Sequence, residues 1–77
     1  MEKEDFLKNF ANQFDDTDIS ELTFETNFRD LDEWSSLIAL AVMNMIAKKY
    51  AVKLRPEEMK ELNTIQELFD YTNSKLI

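Results

Sequence analysis

Apolar residues recur along the chain first at helical and then at irregular intervals. Phe6, Leu7, Phe10, Ala11 and Phe14 stand three and four apart, with Glu4, Lys8 and Asn12 on the other side, which predicts an amphipathic helix over residues 3–14. Asp15, Asp16, Thr17 and Asp18 follow, a polar stretch whose side chains compete with the backbone for hydrogen bonds and stop the helix. Residues 16–34 therefore read as a long loop, with one short turn of helix and apolar anchors at Ile19, Leu22, Phe24 and Phe28. Loops of this length are usually functional or disordered, and four apolar anchors favour order.

A second helix is predicted from Ser35 or Ser36 through LIALAVMNMIAKKY to Tyr50, ending in Lys48 and Lys49, cations that suit a helix C-terminus. At about 100° per residue, Ala39, Val42, Met43, Ile46 and Tyr50 share one side. Leu37, Ala41, Asn44 and Lys48 share the opposite, wetter side. Residues 51–55 lead out in extended form to Pro56, well placed at the first position of a short third helix, with Glu57 and Glu58 beside its positive end. Thr64-Ile65-Gln66-Glu67 has the spacing of a capping box and predicts a fourth helix with Ile65, Leu68, Phe69 and Thr72 facing inward. The expected fold is all-α: a small four-helix bundle of three main helices and one short one, forming a single domain over residues 1–77, with a long loop between the first and second helices.

Composition narrows the function. Hydrophobic residues make up 44%, enough for a core, while glycine is absent and proline occurs once, against a sheet joined by tight glycine turns. Sixteen acids against nine bases give a net charge of -7, which repels phosphate backbones and anionic membrane surfaces. Residues 1–35 carry eleven acids and three bases and residues 36–77 five and six, so the negative field lies in the first half. With no cysteine and no histidine, disulfides, thiolate nucleophiles, imidazole bases and common zinc ligands are all missing, and no catalytic residue is expected. The run DDTDISE lacks the glycine and the bidentate glutamate of a calcium loop, so no metal site is expected. MEKEDFLKNF has no apolar core of a signal peptide and no apolar run approaches the roughly 20 residues of a membrane span, which predicts a cytoplasmic protein that engages neither membrane nor nucleic acid.

The segment LDEWSSLIALAVMNMI places two serines at the start of a helix apolar enough to pack on more than one side. One reading makes Ser35 or Ser36 a cap and nothing more, since serine is a preferred cap. The other takes Leu37, with Ala41 beside it, as an apolar docking spot, and notes that a helix N-terminus favours an anionic group such as a phosphodiester on a serine hydroxyl.

Serine-leucine at a mid-chain helix start, an apolar helix closing on an aromatic, then a proline with acids, then TIQELFDY resemble the acyl carrier protein family over residues 28–73. EWSSL is similar to the EWDSL found in one branch of that family. The resemblance implies a non-enzymatic carrier with 4'-phosphopantetheine on Ser36, which falls on the modified serine. It also implies a phosphopantetheinyl transferase, an acyl- or aminoacyl-loading ligase and downstream synthases as partners of a monomer. Two departures stand out: Ser35 replaces the acid before the modified serine, and the second helix shows Ala41, Asn44, Lys48 and Lys49 where relatives usually display acids. Docking is accordingly expected through Asp30, Asp32 and Glu33 at the mouth of the site together with Leu37 and Ala41, and Trp34 is either a lid packed on the bundle or a partner contact. An unmodified helical interaction domain of the same fold is the alternative.

Overall fold

The structure, a computed structural model, describes residues 2–76. Four α-helices follow one another: α1 Lys3–Ala11, α2 Ser36–Tyr50, α3 Pro56–Met59 and α4 Ile65–Ser74. No strand occurs among the described residues. The all-α bundle with three main helices and one short one is thus as the sequence predicts.

Helix α1 stops at Ala11, earlier than expected. Asn12 keeps helical angles, but Gln13 and Phe14 donate to Phe10 O and Ala11 O, i to i+3 bonds that tighten the last turn and still deliver Phe14 into the core. The core is built from the two phenylalanines of α1, Phe6 and Phe10, with Phe28, Val42, Ile46, Ile65 and Leu68, all fully buried. The four residues expected to face inward on α4 all do so. Its start is the predicted capping box: Thr64 Oγ1 accepts from Glu67 N at 3.1 Å and Glu67 Oε1 accepts from Thr64 N at 3.1 Å.

Thr72 Oγ1 is buried without a hydrogen-bond partner. An unpaired buried hydroxyl costs on the order of 1–3 kcal/mol, and valine has nearly the same shape. Thr72→Val is expected to raise stability by about 1 kcal/mol in urea denaturation; a loss of stability would show that the hydroxyl is satisfied in solution.

The long loop is ordered by more than its side chains. It holds two short 3-10 turns rather than the one expected, Ile19–Glu21 and Phe28–Asp30. Each is capped by a side chain, Asp18 and Asn27 respectively. From Phe24 to Phe28 the loop backbone is stitched to the α3–α4 link and the start of α4: Phe28 N donates to Asn63 O at 3.0 Å, and Ile65 N and Gln66 N donate to Thr26 O and Phe24 O. Leu22 and Phe28 are buried anchors, whereas Ile19, expected to be one, is exposed, because the capped turn at Asp18 lifts it off the bundle.

Helix α3 is fastened on both sides. Arg29 of the second 3-10 turn donates from Nε to Leu62 O at 2.9 Å and from Nη2 to Met59 O. Glu58 accepts from Arg55 N at 2.8 Å, from Tyr71 Oη, and faces Lys75 Nζ at 3.3 Å. These bonds, led by the one from Tyr71, hold the Glu58 carboxyl down at about 2. A depressed carboxyl stabilises the folded chain above its unfolded value near 4.5 and loses that contribution as pH falls towards 2. An acid titration of wild type is expected to show stability falling across that window, and Glu58→Gln to flatten it; identical slopes would remove Glu58 from the account.

Candidate functional site

The Ser35–Ser36 pair lies where the loop enters α2. Ser35 is the N-cap, in extended conformation, and its Oγ accepts from Ile38 N at 3.2 Å. Ser36 is the first helical residue, where proximity to the free N–H groups of the first turn and the positive helix end favours an anion on its hydroxyl. The chain has four serines. The hydroxyls of Ser20 and Ser74 bond to Asp18 and to Tyr71 O, and that of Ser35 to Ile38 N. Ser36 is exposed, and of the four serine hydroxyls its own is the one that makes no hydrogen bond to the described residues.

Beside it opens a groove of about 570 Å³ between α2 and α3, inside the roughly 300–1,000 Å³ range of ligand clefts. Ala39, Leu40 and Met43 form one wall and Pro56 and Met59 the other, with Trp34 at the serine end. The rim carries Arg29 and Lys60. A hydroxyl with room around it, next to an apolar cleft and ahead of a helix, suits attachment of a long flexible group that needs phosphate at one end and apolar lining beyond.

The family comparison bears on this serine. The family model for a phosphopantetheine attachment site matches residues 5–72. The chain belongs to the phosphopantetheine-attachment family. Domains of this family carry 4'-phosphopantetheine covalently and have the acyl carrier type of helical fold. No curated protein and no solved structure gives a match to this phosphopantetheine-attachment domain. The residues present fit the group: Ser36 supplies the hydroxyl, the first turn of α2 the positive end, and the groove the apolar wall.

The structure places the other candidate residues in differing settings. Asp30 and Asp32 are exposed. Glu33 is engaged: its carboxylate accepts from Asp15 N, Asp16 N and Thr17 Oγ1 at 3.0, 2.9 and 2.7 Å, which lowers its pKa, the Thr17 bond most of all. It acts as a clasp between the two ends of the long loop. Trp34 is half-buried, with its ring 4.6 Å from Phe28 and 6.4–6.5 Å from Phe14 and Phe10, so it packs the loop onto the bundle. Leu37 is 79% exposed, and Ala41 is half-buried and faces away from the groove, towards Met45 and Asn44.

Two apolar residues of α2 sit otherwise than the helix-face arithmetic suggests. Leu40 is 51% exposed and bridges Leu37 to the groove, because short α3 leaves that flank of α2 uncovered. Met45 is buried on the flank expected to be wet. Hydrophobicity alone marks both positions, but the helix-face arithmetic assumes one covered side, and α2 is covered on parts of two.

Proposed function

We propose that residues 1–77 act as one carrier domain, with an acyl or aminoacyl group held on 4'-phosphopantetheine at Ser36 and presented to biosynthetic enzymes. The observation that carries this reading is the exposed, unbonded Ser36 hydroxyl at the head of α2, beside the groove and inside the matched family segment. When attached, the cofactor supplies a thiol for a thioester, in a chain that has no thiol of its own.

The protein's residues do the holding. Ser35 caps α2 and so aims Ser36 forward; the first-turn N–H groups favour the phosphodiester; Trp34, Met43 and Met59 offer an adaptable apolar wall along the groove. Ser35, at the position where the EWDSL branch has an acid, caps α2 with its own hydroxyl. Docking of the phosphopantetheinyl transferase is proposed through exposed Asp30 and Asp32, charges that set encounter rate more than affinity. Leu37 and Leu40 supply the apolar contact, with Glu33 and Trp34 acting from behind by shaping the loop. The domain is proposed to be a cytoplasmic monomer served by a loading ligase and synthases of fatty acid, polyketide or nonribosomal peptide type. No helix of the described residues is long and apolar enough to cross a membrane.

The test is intact mass after incubation of the purified chain with coenzyme A and a broad-specificity phosphopantetheinyl transferase. A gain of one phosphopantetheine is expected. No gain with several transferases would overturn the carrier reading in favour of an unmodified interaction domain.

A further inference from the structure

The groove beside Ser36 is charged against the trend of the chain. Sixteen acids stand against nine bases in the sequence, yet the charged side chains that line the groove are Arg29 and Lys60, and no carboxylate lines it. Asp30 and Asp32 are exposed on the loop, and Glu57 and Glu61, the acids nearest Lys60 along the chain, are exposed and outside the lining. Glu58 is turned to Tyr71 and Lys75. The two cations differ in commitment. Arg29 gives Nε to Leu62 O and Nη2 to Met59 O, and so holds the α3 wall in place. Lys60, the residue that closes α3, is exposed, and its ammonium makes no hydrogen bond and no ion pair among the described residues. Beyond these cations and the two serines, the lining is aliphatic or aromatic.

We infer that the groove sorts cargo by charge: it retains an acyl chain that ends in a carboxylate and turns away one that bears an ammonium, with Lys60 as the residue that reads the end. The inference rests on the carrier reading and narrows its cargo, which that reading leaves as acyl or aminoacyl. An ammonium entering here exchanges water for apolar walls and two like charges, with no carboxylate to replace its hydration. A carboxylated chain lays its methylenes on the same walls and brings its charge to an unpartnered ammonium. Because Lys60 is exposed, that pairing changes occupancy by a few-fold rather than by orders of magnitude. The phosphodiester at Ser36 is a second anion that the same lysine can meet, so the arms of the test tell the two apart.

The test uses the full chain labelled with nitrogen-15, as wild type, Lys60→Glu and Lys60→Gln, loaded from coenzyme A thioesters by a broad-specificity transferase. In loading, the Ser36 oxygen forms the phosphodiester bond, the pyrophosphate bond of coenzyme A breaks, 3',5'-ADP leaves and the hydroxyl proton is released. Three six-carbon acyl chains are compared, ending in a methyl, a carboxylate or an ammonium, with the bare arm as the fourth sample. Hydroxylamine cleaves each thioester, and its rate relative to the same thioester on coenzyme A reads how far the groove shields the cargo. The carboxylate chain is expected to be shielded about fivefold more than the ammonium chain, and to move the amides of Leu40, Met43, Met59 and Lys60. Lys60→Glu should favour the ammonium chain instead, and Lys60→Gln should narrow the gap. Equal shielding of the two charged ends in the wild type, or a gap untouched by Lys60→Glu, would overturn the inference. So would Lys60 shifts already complete with the bare arm, which would assign the lysine to the phosphodiester. Mass gain on the same samples separates the two readings: gain without charge sorting ends this inference alone, whereas no gain with any thioester ends the carrier reading and this inference with it.

Discussion

Ser36→Ala is expected to abolish phosphopantetheine attachment completely, and Ser35→Ala to keep it. The two serines are adjacent and identical in chemistry, but their hydroxyls have different duties. Ser35 Oγ is committed to Ile38 N, closing the start of α2. Its loss should cost about 1 kcal/mol of stability, visible in urea denaturation, with modification reduced at most in rate. Ser36 spends its hydroxyl on nothing in the fold, so alanine there should leave stability within about 0.5 kcal/mol of wild type while removing the one serine hydroxyl at the head of the groove that is not already bonded. Intact mass of the three proteins decides the matter. Attachment surviving in Ser36→Ala and vanishing in Ser35→Ala would move the site by one residue and leave Ser36 without a role.

Phe28→Ala is expected to cost about 3–5 kcal/mol, the range for truncating a buried aromatic. A chain of this length has about 4–12 kcal/mol in total, so a large part of the fold's stability hangs on one loop residue. Phe28 is fully buried, its ring touches Phe10 and Trp34, and its backbone N–H is bonded to Asn63 O. Loss of the ring uncouples the loop from the core at the point where the chain turns into α2. Trp34, the only tryptophan, packs directly on that ring and reports the change by fluorescence during urea unfolding. A loss below about 1 kcal/mol would mean that the backbone stitching to residues 63–66 holds the loop without it.

What could be read from the sequence was local. The capping box at Thr64, the proline start of α3 and the inward set of α4 depend on residues within two turns of one another, and each is found where the spacing puts it. The family resemblance also rested on a contiguous run, residues 28–73, and the family model covers it up to residue 72. The features missed are long-range. The order of residues 16–34 comes from backbone bonds to a segment about forty residues away, which no side-chain pattern announces. The Glu33 clasp on Asp15, Asp16 and Thr17 likewise spans the loop, and in sequence Glu33 looks like any exposed acid near a helix start. Leu40 escaped notice because its exposure follows from the shortness of α3, a neighbour in space rather than in sequence.

The chain contains no glycine, and it pays for one tight corner directly: Ala51, closing α2, sits at φ 57°, in the left-handed region that favours glycine. Elsewhere the bends are fixed by side chains of Asp18, Asn27, Glu33 and Thr64 bonded to backbone N–H groups. Bends locked in this way do not act as hinges. A carrier must visit several active sites in turn, and one built like this has little internal give with which to reach them. Its travel would then lie in the attached arm and in tumbling of the whole body, so that each visiting enzyme meets the same unyielding surface.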